Sequence, residues 1–135
     1  MLTTRWTLLA LTAICGALPG HVHAAEPQGY WITPDQGISC AFSDNKLRCD
    51  VAQPNWKPWG CKDNGCYGSS FVIPSRGKAT MIRSSDTTWN PKATVIGDGF
   101  SIAGIRCRLE AKQLSCHNPS GGRLVLSRNA YALNR

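Results

Sequence analysis

One short motif occurs twice in this chain, and it restricts the possible fold more than any other feature. Gly37-Ile38-Ser39-Cys40 is followed after eight residues by Cys49, and Gly104-Ile105-Arg106-Cys107 is followed after eight residues by Cys116. Each unit also carries an apolar residue two positions after its first cysteine and another two positions before its second. These are Phe42 and Leu47 in the first unit and Leu109 and Leu114 in the second.

The first unit fits a tight β-hairpin. Pairing Cys40 with Cys49 places Phe42 opposite Leu47 and leaves Asp44-Asn45 as a two-residue turn, for which both residue types tolerate a positive φ. Side chains alternate along a strand, so the cysteines and the apolar pair share one face. Directly opposed residues are also within reach of a disulfide. We therefore predict a Cys40–Cys49 disulfide.

The second unit gives the same arrangement. Pairing Cys107 with Cys116 places Leu109 opposite Leu114 and leaves Ala111-Lys112 at the tip, which is a less favourable turn. We predict a Cys107–Cys116 disulfide. Both loops are short, so each bridge should contribute only about 2–3 kcal/mol through loop entropy and should hold its own hairpin rather than distant segments.

Two further cysteines lie between the repeated units. Cys61 and Cys66 flank Lys62-Asp63-Asn64-Gly65, and Asn-Gly suits a turn, so we predict a third disulfide between them. Zinc is the alternative, but it needs a tighter group of Cys and His ligands, and His117 is the only histidine after residue 24. We expect no metal and no other cofactor.

The first residues have the layout of a secretory signal peptide. Arg5 gives a positive start, residues 6–18 are apolar, and Ala24 is a small residue at a suitable cleavage position. The apolar run is shorter than the roughly 20 residues that a membrane-spanning helix needs. We predict that residues 1–24 are removed, with cleavage after Ala25 the next candidate, and that residues 25–135 form a single domain.

Export agrees with the cysteine content. Six cysteines in a short exported domain indicate a disulfide framework, which is typical of the periplasm or the cell exterior. An acylated Cys15 would make the chain a lipoprotein instead, but Ile14 precedes it where a small residue is expected. We expect a secreted or periplasmic protein with no transmembrane segment.

The exported domain is basic. Once Arg5 is removed, 14 of the 15 Lys and Arg residues stand against 8 Asp and Glu, which leaves a net charge of +6. Such a charge favours an anionic envelope polymer, for example lipopolysaccharide or teichoic acid, or an acidic extracytoplasmic protein as the partner. Nucleic acid is not expected as the partner. The alternative is that the charge serves solubility alone.

The rest of the chain also resembles short strands separated by Gly, Pro, Asn and Asp, without helical periodicity. We predict strands over residues 69–73, 78–83, 93–96, 122–127 and 129–133, and long loops over 55–60 and 84–92. Many short strands at close spacing predict an all-β fold. The expected architecture is a small antiparallel barrel or sandwich that contains the two repeated, disulfide-pinned hairpins.

Two groups of side chains are candidates for binding. The first is aromatic: Trp56, Lys57 and Trp59 combine flat rings with a base on a loop and could stack on a sugar or a peptide, or else the tryptophans cover the core. The second is basic. Alternation places four cations on the outward faces of the hairpins, and these would form one patch if the hairpins lay side by side: Lys46 and Arg48 on the first, Arg106 and Arg108 on the second.

Weaker interpretations accompany both groups. The four cations could be ordinary solvated charges that guard strand edges, and Asp50 and Glu110 dilute the patch.

His117 follows Cys116 where Asp50 follows Cys49, so the two could form a metal or acid/base pair, but one carboxylate and one imidazole are too few groups for a typical site of either kind. Ser127 with His117 and an aspartate could form a hydrolase triad, but no nucleophile-elbow sequence surrounds Ser127. We therefore expect no catalytic residues.

Several stretches match a known pattern over nearly the whole of residues 25–135. They are residues 33–40, 47–51, Trp56 with Pro58 and Cys61, 85–87, 104–116, and 121–128 with Tyr131. This set resembles a family of small secreted bacterial proteins with six cysteines, common in actinobacteria and classified as a domain of unknown function. The resemblance implies export and the cysteine framework, and it implies no activity.

The chain departs from that family at one cysteine. The family has a cysteine just before the Asp-Thr pair, whereas here Arg83-Ser84-Ser85 precedes Asp86-Thr87 and Cys66 appears instead. The resemblance therefore implies that Cys61 has a different partner in this chain.

These observations favour a non-enzymatic extracytoplasmic binding module with a basic face. A different class is an inhibitor or immunity-type factor that blocks a secreted hydrolase by inserting the stiff loop of residues 56–66. A third hypothesis is a small hydrolase that uses His117.

Overall fold

The computed structural model describes residue 20 and residues 29–57 and 68–135. The predicted signal peptide, Gly20 apart, lies outside this part of the chain, as do Trp59, Cys61 and Cys66. The described residues contain no helix that is long and apolar enough to cross a membrane. Their secondary structure consists of strands, which in chain order are β1 (Gly29–Ile32), β2 (Ile38–Ser43), β3 (Lys46–Val51), β4 (Gly68–Pro74), β5 (Thr80–Ser84), β6 (Thr94–Val95), β7 (Gly99–Ile102), β8 (Ile105–Glu110), β9 (Gln113–His117), β10 (Arg123–Leu126) and β11 (Tyr131–Leu133).

These strands form two open sheets. The six-stranded sheet has the order β5-β4-β3-β2-β1-β6 and the five-stranded sheet has the order β11-β10-β9-β8-β7. Neighbouring strands are antiparallel except for β1 and β6, which are parallel. The all-β prediction is confirmed. Of the two expected architectures, the closed barrel does not form, because both sheets are open. Both sheets contribute to one core, whose buried members include Phe42, Leu47, Phe71, Ile73, Ile105, Leu114, Leu124 and Leu126.

Both predicted hairpin disulfides are present. Cys40 bonds to Cys49 and Cys107 to Cys116, with the two Cα atoms 4.1 Å apart in each pair. The predicted register is confirmed, because Phe42 lies opposite Leu47 and Leu109 opposite Leu114. Both two-residue turns have positive φ angles, at Asp44 and Asn45 in the first hairpin and at Ala111 and Lys112 in the second.

The repeat extends beyond the hairpins. Five consecutive strands, β1 to β5, follow one another across the first sheet, and β7 to β11 do the same in the second. In each set the cystine joins the second and third strands. Trp31 of β1 lies opposite Cys40, and Phe100 of β7 lies opposite Cys107. The two rings stack with centroids 4.4 Å apart, so equivalent strands of the two sheets meet in the core.

One connection crosses the outer face of the six-stranded sheet. Residues 85–93, which we call the β5–β6 connection, lead from β5 at one edge of the sheet to β6 at the other. Thr88 is buried against the sheet: its hydroxyl donates to the Ser39 carbonyl at 2.7 Å, and its backbone N–H donates to the Asp50 carboxylate at 2.7 Å. The connection therefore covers part of this face with polar contacts.

Candidate functional site

The four predicted cations do not form one patch. The two hairpins lie in different sheets, and both cystines point into the shared core. Alternation along each strand then sends the outward side chains of the two hairpins to opposite sides of the molecule. Lys46 and Arg48 lie on the outer face of the six-stranded sheet, and Arg106 and Arg108 lie on that of the five-stranded sheet. The side-by-side arrangement of the hairpins is therefore wrong.

Arg48 is engaged in internal contacts. Its Nη1 donates to the Asp86 carboxylate at 2.7 Å, its Nη2 lies 3.2 Å from the Asp50 carboxylate, and its Nε donates to the Ser70 hydroxyl at 3.1 Å. The Ser84 hydroxyl and the Arg48 guanidinium both hydrogen bond to Asp86 and hold the pKa of that carboxyl below its ordinary value. Arg48 thus fastens the β5–β6 connection to the sheet.

The aromatic loop candidates are divided between the core and the undescribed segment. Trp56 is half-buried, its Nε1 donates to the Ser127 carbonyl at 3.3 Å, and its ring contacts Phe71 and Tyr131 edge-on at 5.8 and 4.9 Å. This is the core-covering position that was the alternative to ligand stacking. Lys57 is exposed, and Trp59 lies outside the described residues.

The outer face of the five-stranded sheet carries a row of basic side chains. Arg106 lies directly opposite His117, and His117 lies directly opposite Arg123, so the row crosses the three neighbouring strands β8, β9 and β10. Directly opposed residues have Cβ atoms about 4.5–5.5 Å apart. All three residues are exposed, and neither arginine forms an ion pair within residues 29–57 and 68–135.

A second exposed arginine on β8 extends this row. Arg108 follows Arg106 by two positions and so lies on the same side of the strand. Its guanidinium pairs with Glu110 at 2.7 Å, and this is the one acidic side chain on the outer face of strands β7 to β11. We call the outward side chains Arg106, Arg108, His117 and Arg123 the basic face. Three arginines against one glutamate leave a net charge of +2 there, with His117 counted as neutral.

The hairpin register predicted from the cysteines already places His117 opposite Arg106, although the sequence analysis does not name this pair. Arg123 was missed because the pairing of β10 with β9 was not predicted. One signal could have found it. Arg123-Leu124-Val125-Leu126 alternates, and placing Leu124 beside Cys116 in the core brings Arg123 opposite His117.

The two catalytic combinations considered from the sequence are not assembled. Asp50 is on the outer face of the six-stranded sheet and His117 on that of the other sheet. Ser127 lies four residues beyond Arg123, the residue opposite His117, which is about 13 Å along an extended chain. Its hydroxyl donates to the Ala130 carbonyl at 3.1 Å and accepts from backbone N–H groups, so it stabilises the turn before β11.

No group of three or more His, Cys, Asp or Glu side chains that could hold a metal ion occurs among the described residues.

Comparisons with protein-family models, with curated proteins and with solved structures find no match for this chain. The resemblance to the six-cysteine family therefore stays a prediction. Any functional proposal for this chain rests on the arrangement of its own side chains.

Proposed function

We propose that this chain is an exported, non-enzymatic binding module that holds an anionic polymer of the cell envelope on its basic face. The observation that carries the proposal is the cross-strand row Arg106–His117–Arg123. The row combines two exposed guanidinium groups and an imidazole on one face of the sheet. Guanidinium groups recognise phosphate and carboxylate oxygens with two parallel hydrogen bonds, which makes phosphate-bearing polymers such as teichoic acid or lipopolysaccharide suitable ligands.

The shape of the surface supports a polymer over a small ligand. The row runs across the strands, and Arg108 lies about 7 Å from Arg106 along β8. Repeated anionic groups can contact several of these cations at once, and each contact is weak when exposed to solvent. Affinity then comes from the number of simultaneous contacts, because binding one repeat raises the local concentration of the next.

Export is part of the proposal. The apolar residues 6–18 and Ala24 have the pattern of a signal peptide, and disulfides persist in oxidising compartments.

The alternative class, an inhibitor of a secreted hydrolase, would use residues 56–66, of which Trp56 is held against Phe71 and Tyr131. No observation on the described residues favours that class, so it is not proposed.

The test is equilibrium binding of the processed, disulfide-bonded protein to purified teichoic acid and, separately, to lipopolysaccharide. We expect affinity for at least one of them to fall steeply as ionic strength rises, because exposed charges are screened within about 10 Å at 0.1 M salt. Replacing Arg106 and Arg123 together by Glu should weaken binding about tenfold or more, since two attractive contacts become repulsive.

A matched control separates the basic face from net charge. Lys46→Glu with Lys92→Glu changes the net charge equally, but both lysines lie on the side of the six-stranded sheet, one in β3 and one in the β5–β6 connection. We expect this variant to bind almost as well as the wild type. Equal losses in the two variants, or an affinity that does not depend on salt, would contradict the proposal.

A further inference from the structure

A groove begins on the outer face of the six-stranded sheet, away from the basic face. It consists of three adjoining pockets of about 240, 280 and 250 Å³. The first and second share Gln36, Ala52 and Gln53, and the second and third share Asp35, Gly37, Lys112 and Arg128. The three pockets are therefore neighbours in a series that extends from the β5–β6 connection to the turn before β11.

Trp89 lies at the first end of the groove. Its side chain is 52% exposed, although the residue before it, Thr88, is buried and hydrogen bonded to Ser39 and Asp50. The backbone N–H of Trp89 donates to the Thr87 hydroxyl at 3.1 Å. A large aromatic ring is thus held on an anchored backbone and left open to solvent, which is unusual for a side chain with so much apolar surface.

Two glutamines lie in the groove beside this pocket. Gln36 and Gln53 are exposed and have positive φ angles of 57° and 46°. This left-handed conformation is uncommon for residues with a side chain, and glycine adopts it more readily. Neither side-chain amide makes a hydrogen bond to any other residue that the structure describes. Each therefore presents a free donor and a free acceptor to the groove.

The residues that line the groove indicate which class of ligand it can bind. The C–H face of a pyranose ring packs on the face of an aromatic ring, and its hydroxyls need donors and acceptors such as amides and serine hydroxyls around the edge. The carboxylates of Asp50 and Asp86 line the same pocket, and Arg48 compensates only one of the two charges. This balance disfavours an anionic ring on Trp89, whereas Lys112 and Arg128 offset Asp35 in the other two pockets. The three pockets together offer space for more than one ring.

Other ligands fit less well. An extended peptide binds by adding a strand to a sheet edge, but β2, β3 and β4, which line the groove, are paired on both sides. A quaternary ammonium group is usually bound by several aromatic faces, and Trp89 is the one aromatic side chain among the described residues that line these pockets.

We propose that this groove binds a neutral oligosaccharide, with one pyranose ring stacked on Trp89 and its hydroxyls hydrogen bonded to Gln36 and Gln53. The site is separate from the basic face and does not depend on the function proposed for that face. Equatorially substituted sugars present the flattest C–H surface, so β-1,4-linked glucose or N-acetylglucosamine units are the appropriate ligands to test.

The experiment is calorimetric titration of the processed protein with cellotriose and with chitotriose. Wild type should bind at least one of them, and Trp89→Ala should weaken that binding about tenfold or more, whereas Trp89→Phe should retain part of it. Val95→Ala removes another exposed apolar side chain, on β6 and outside the groove lining, and should leave the affinity unchanged.

Two further variants separate binding from folding. Gln36→Gly and Gln53→Gly remove an amide where the backbone already favours glycine, so the thermal transition should stay or rise while binding weakens severalfold. Arg106→Glu with Arg123→Glu should bind the trisaccharide as the wild type does. The proposal is overturned if neither trisaccharide binds, if Trp89→Ala binds as wild type does, if the basic-face variant loses trisaccharide binding, or if a trigalacturonate binds better.

Discussion

Asn118 joins the two sheets through a single side chain. It is 4% exposed, and its amide nitrogen donates to the carbonyls of Pro74, at the end of β4, and Gly77, in the turn between β4 and β5. Its amide oxygen accepts from the N–H groups of Ser120 and Gly122, in the turn between β9 and β10. All the hydrogen-bonding capacity of this buried amide is used at the junction, as burial of a polar group requires.

Replacing Asn118 by Ala should therefore destabilise the fold by about 2–4 kcal/mol, because two carbonyls and two N–H groups lose the same partner, three of them in partly buried hydrogen bonds and the N–H of Gly122 in a buried one. Chemical denaturation monitored by circular dichroism measures this. Asn129→Ala removes an exposed hydrogen bond to Asn55 and should cost less than about 1 kcal/mol. Equal effects of the two substitutions would show that the junction does not carry the stability assigned to it.

At the scale of residues, the sequence distinguishes side chains that face the core from side chains that face solvent. It does not distinguish cations that form ion pairs from cations that do not. Arg48 and Arg106 were indistinguishable as outward arginines on cystine hairpins. Arg48 is neutralised by Asp86, which is 38 positions away in the sequence, whereas Arg106 has no described acidic partner. The path of the β5–β6 connection across the sheet brings Asp86 to Arg48, and no local pattern encodes that path. The nearer partner, Asp50, lies two positions along the same strand and is visible in the sequence.

At the scale of elements, the cystine hairpins were predictable because the spacing of the cysteines and the alternation of side chains along the strands give the same register. The hairpin of β8 and β9 forms although Ala111 and Lys112 are poor residues for positive φ. The Cys107–Cys116 and Leu109–Leu114 pairs determine the register there. Tertiary pairing thus overrides turn preference.

Strands β1 and β7 were missed for a different reason. Each has four residues, which is too short for a clear alternation, and each begins with a glycine. They are equivalent in the two sheets, but Trp31 precedes Cys40 by nine positions and Phe100 precedes Cys107 by seven. The turn between β1 and β2 is longer than Ala103-Gly104, and this difference hides the repeat outside the cysteine motifs.

The β5–β6 connection should respond to acid. The pKa of Asp86 is lowered by the Ser84 hydroxyl and by Arg48, so the ionised carboxylate favours the attached connection at neutral pH. That contribution is lost as the pH falls through the folded-state pKa, which lies below the ordinary value of about 3.9. We expect the indole N–H resonance of Trp89, three residues along, to move with a midpoint below that value.

Asp86→Asn provides the control for this titration. Asp86 is 76% exposed, so its replacement should leave the core folded while the acid-dependent movement of the Trp89 resonance disappears. A midpoint at or above about 3.9 in the wild type, or an unchanged titration in Asp86→Asn, would contradict the role given to Asp86.

At the scale of the whole molecule, two similar five-strand units bury their cystines in one shared core and expose two different outer faces. One face is crossed by the β5–β6 connection, which contacts Ser39, Arg48 and Asp50 of the sheet. The other has no such cover among the described residues and carries Arg106, His117 and Arg123 in one row. The repeat therefore produces a shared core with separate surface chemistries.

The proposed function requires that the face without this cover binds an anionic polymer. The most direct test is a titration of the isotope-labelled, processed protein with teichoic acid, and separately with lipopolysaccharide, followed by amide chemical-shift mapping. For the polymer that binds, we predict that the largest shifts fall on β8, β9 and β10 around Arg106, His117 and Arg123, and that they vanish at high salt. Shifts concentrated on Lys46 and the β5–β6 connection, with the β8–β10 amides unmoved, would contradict the account.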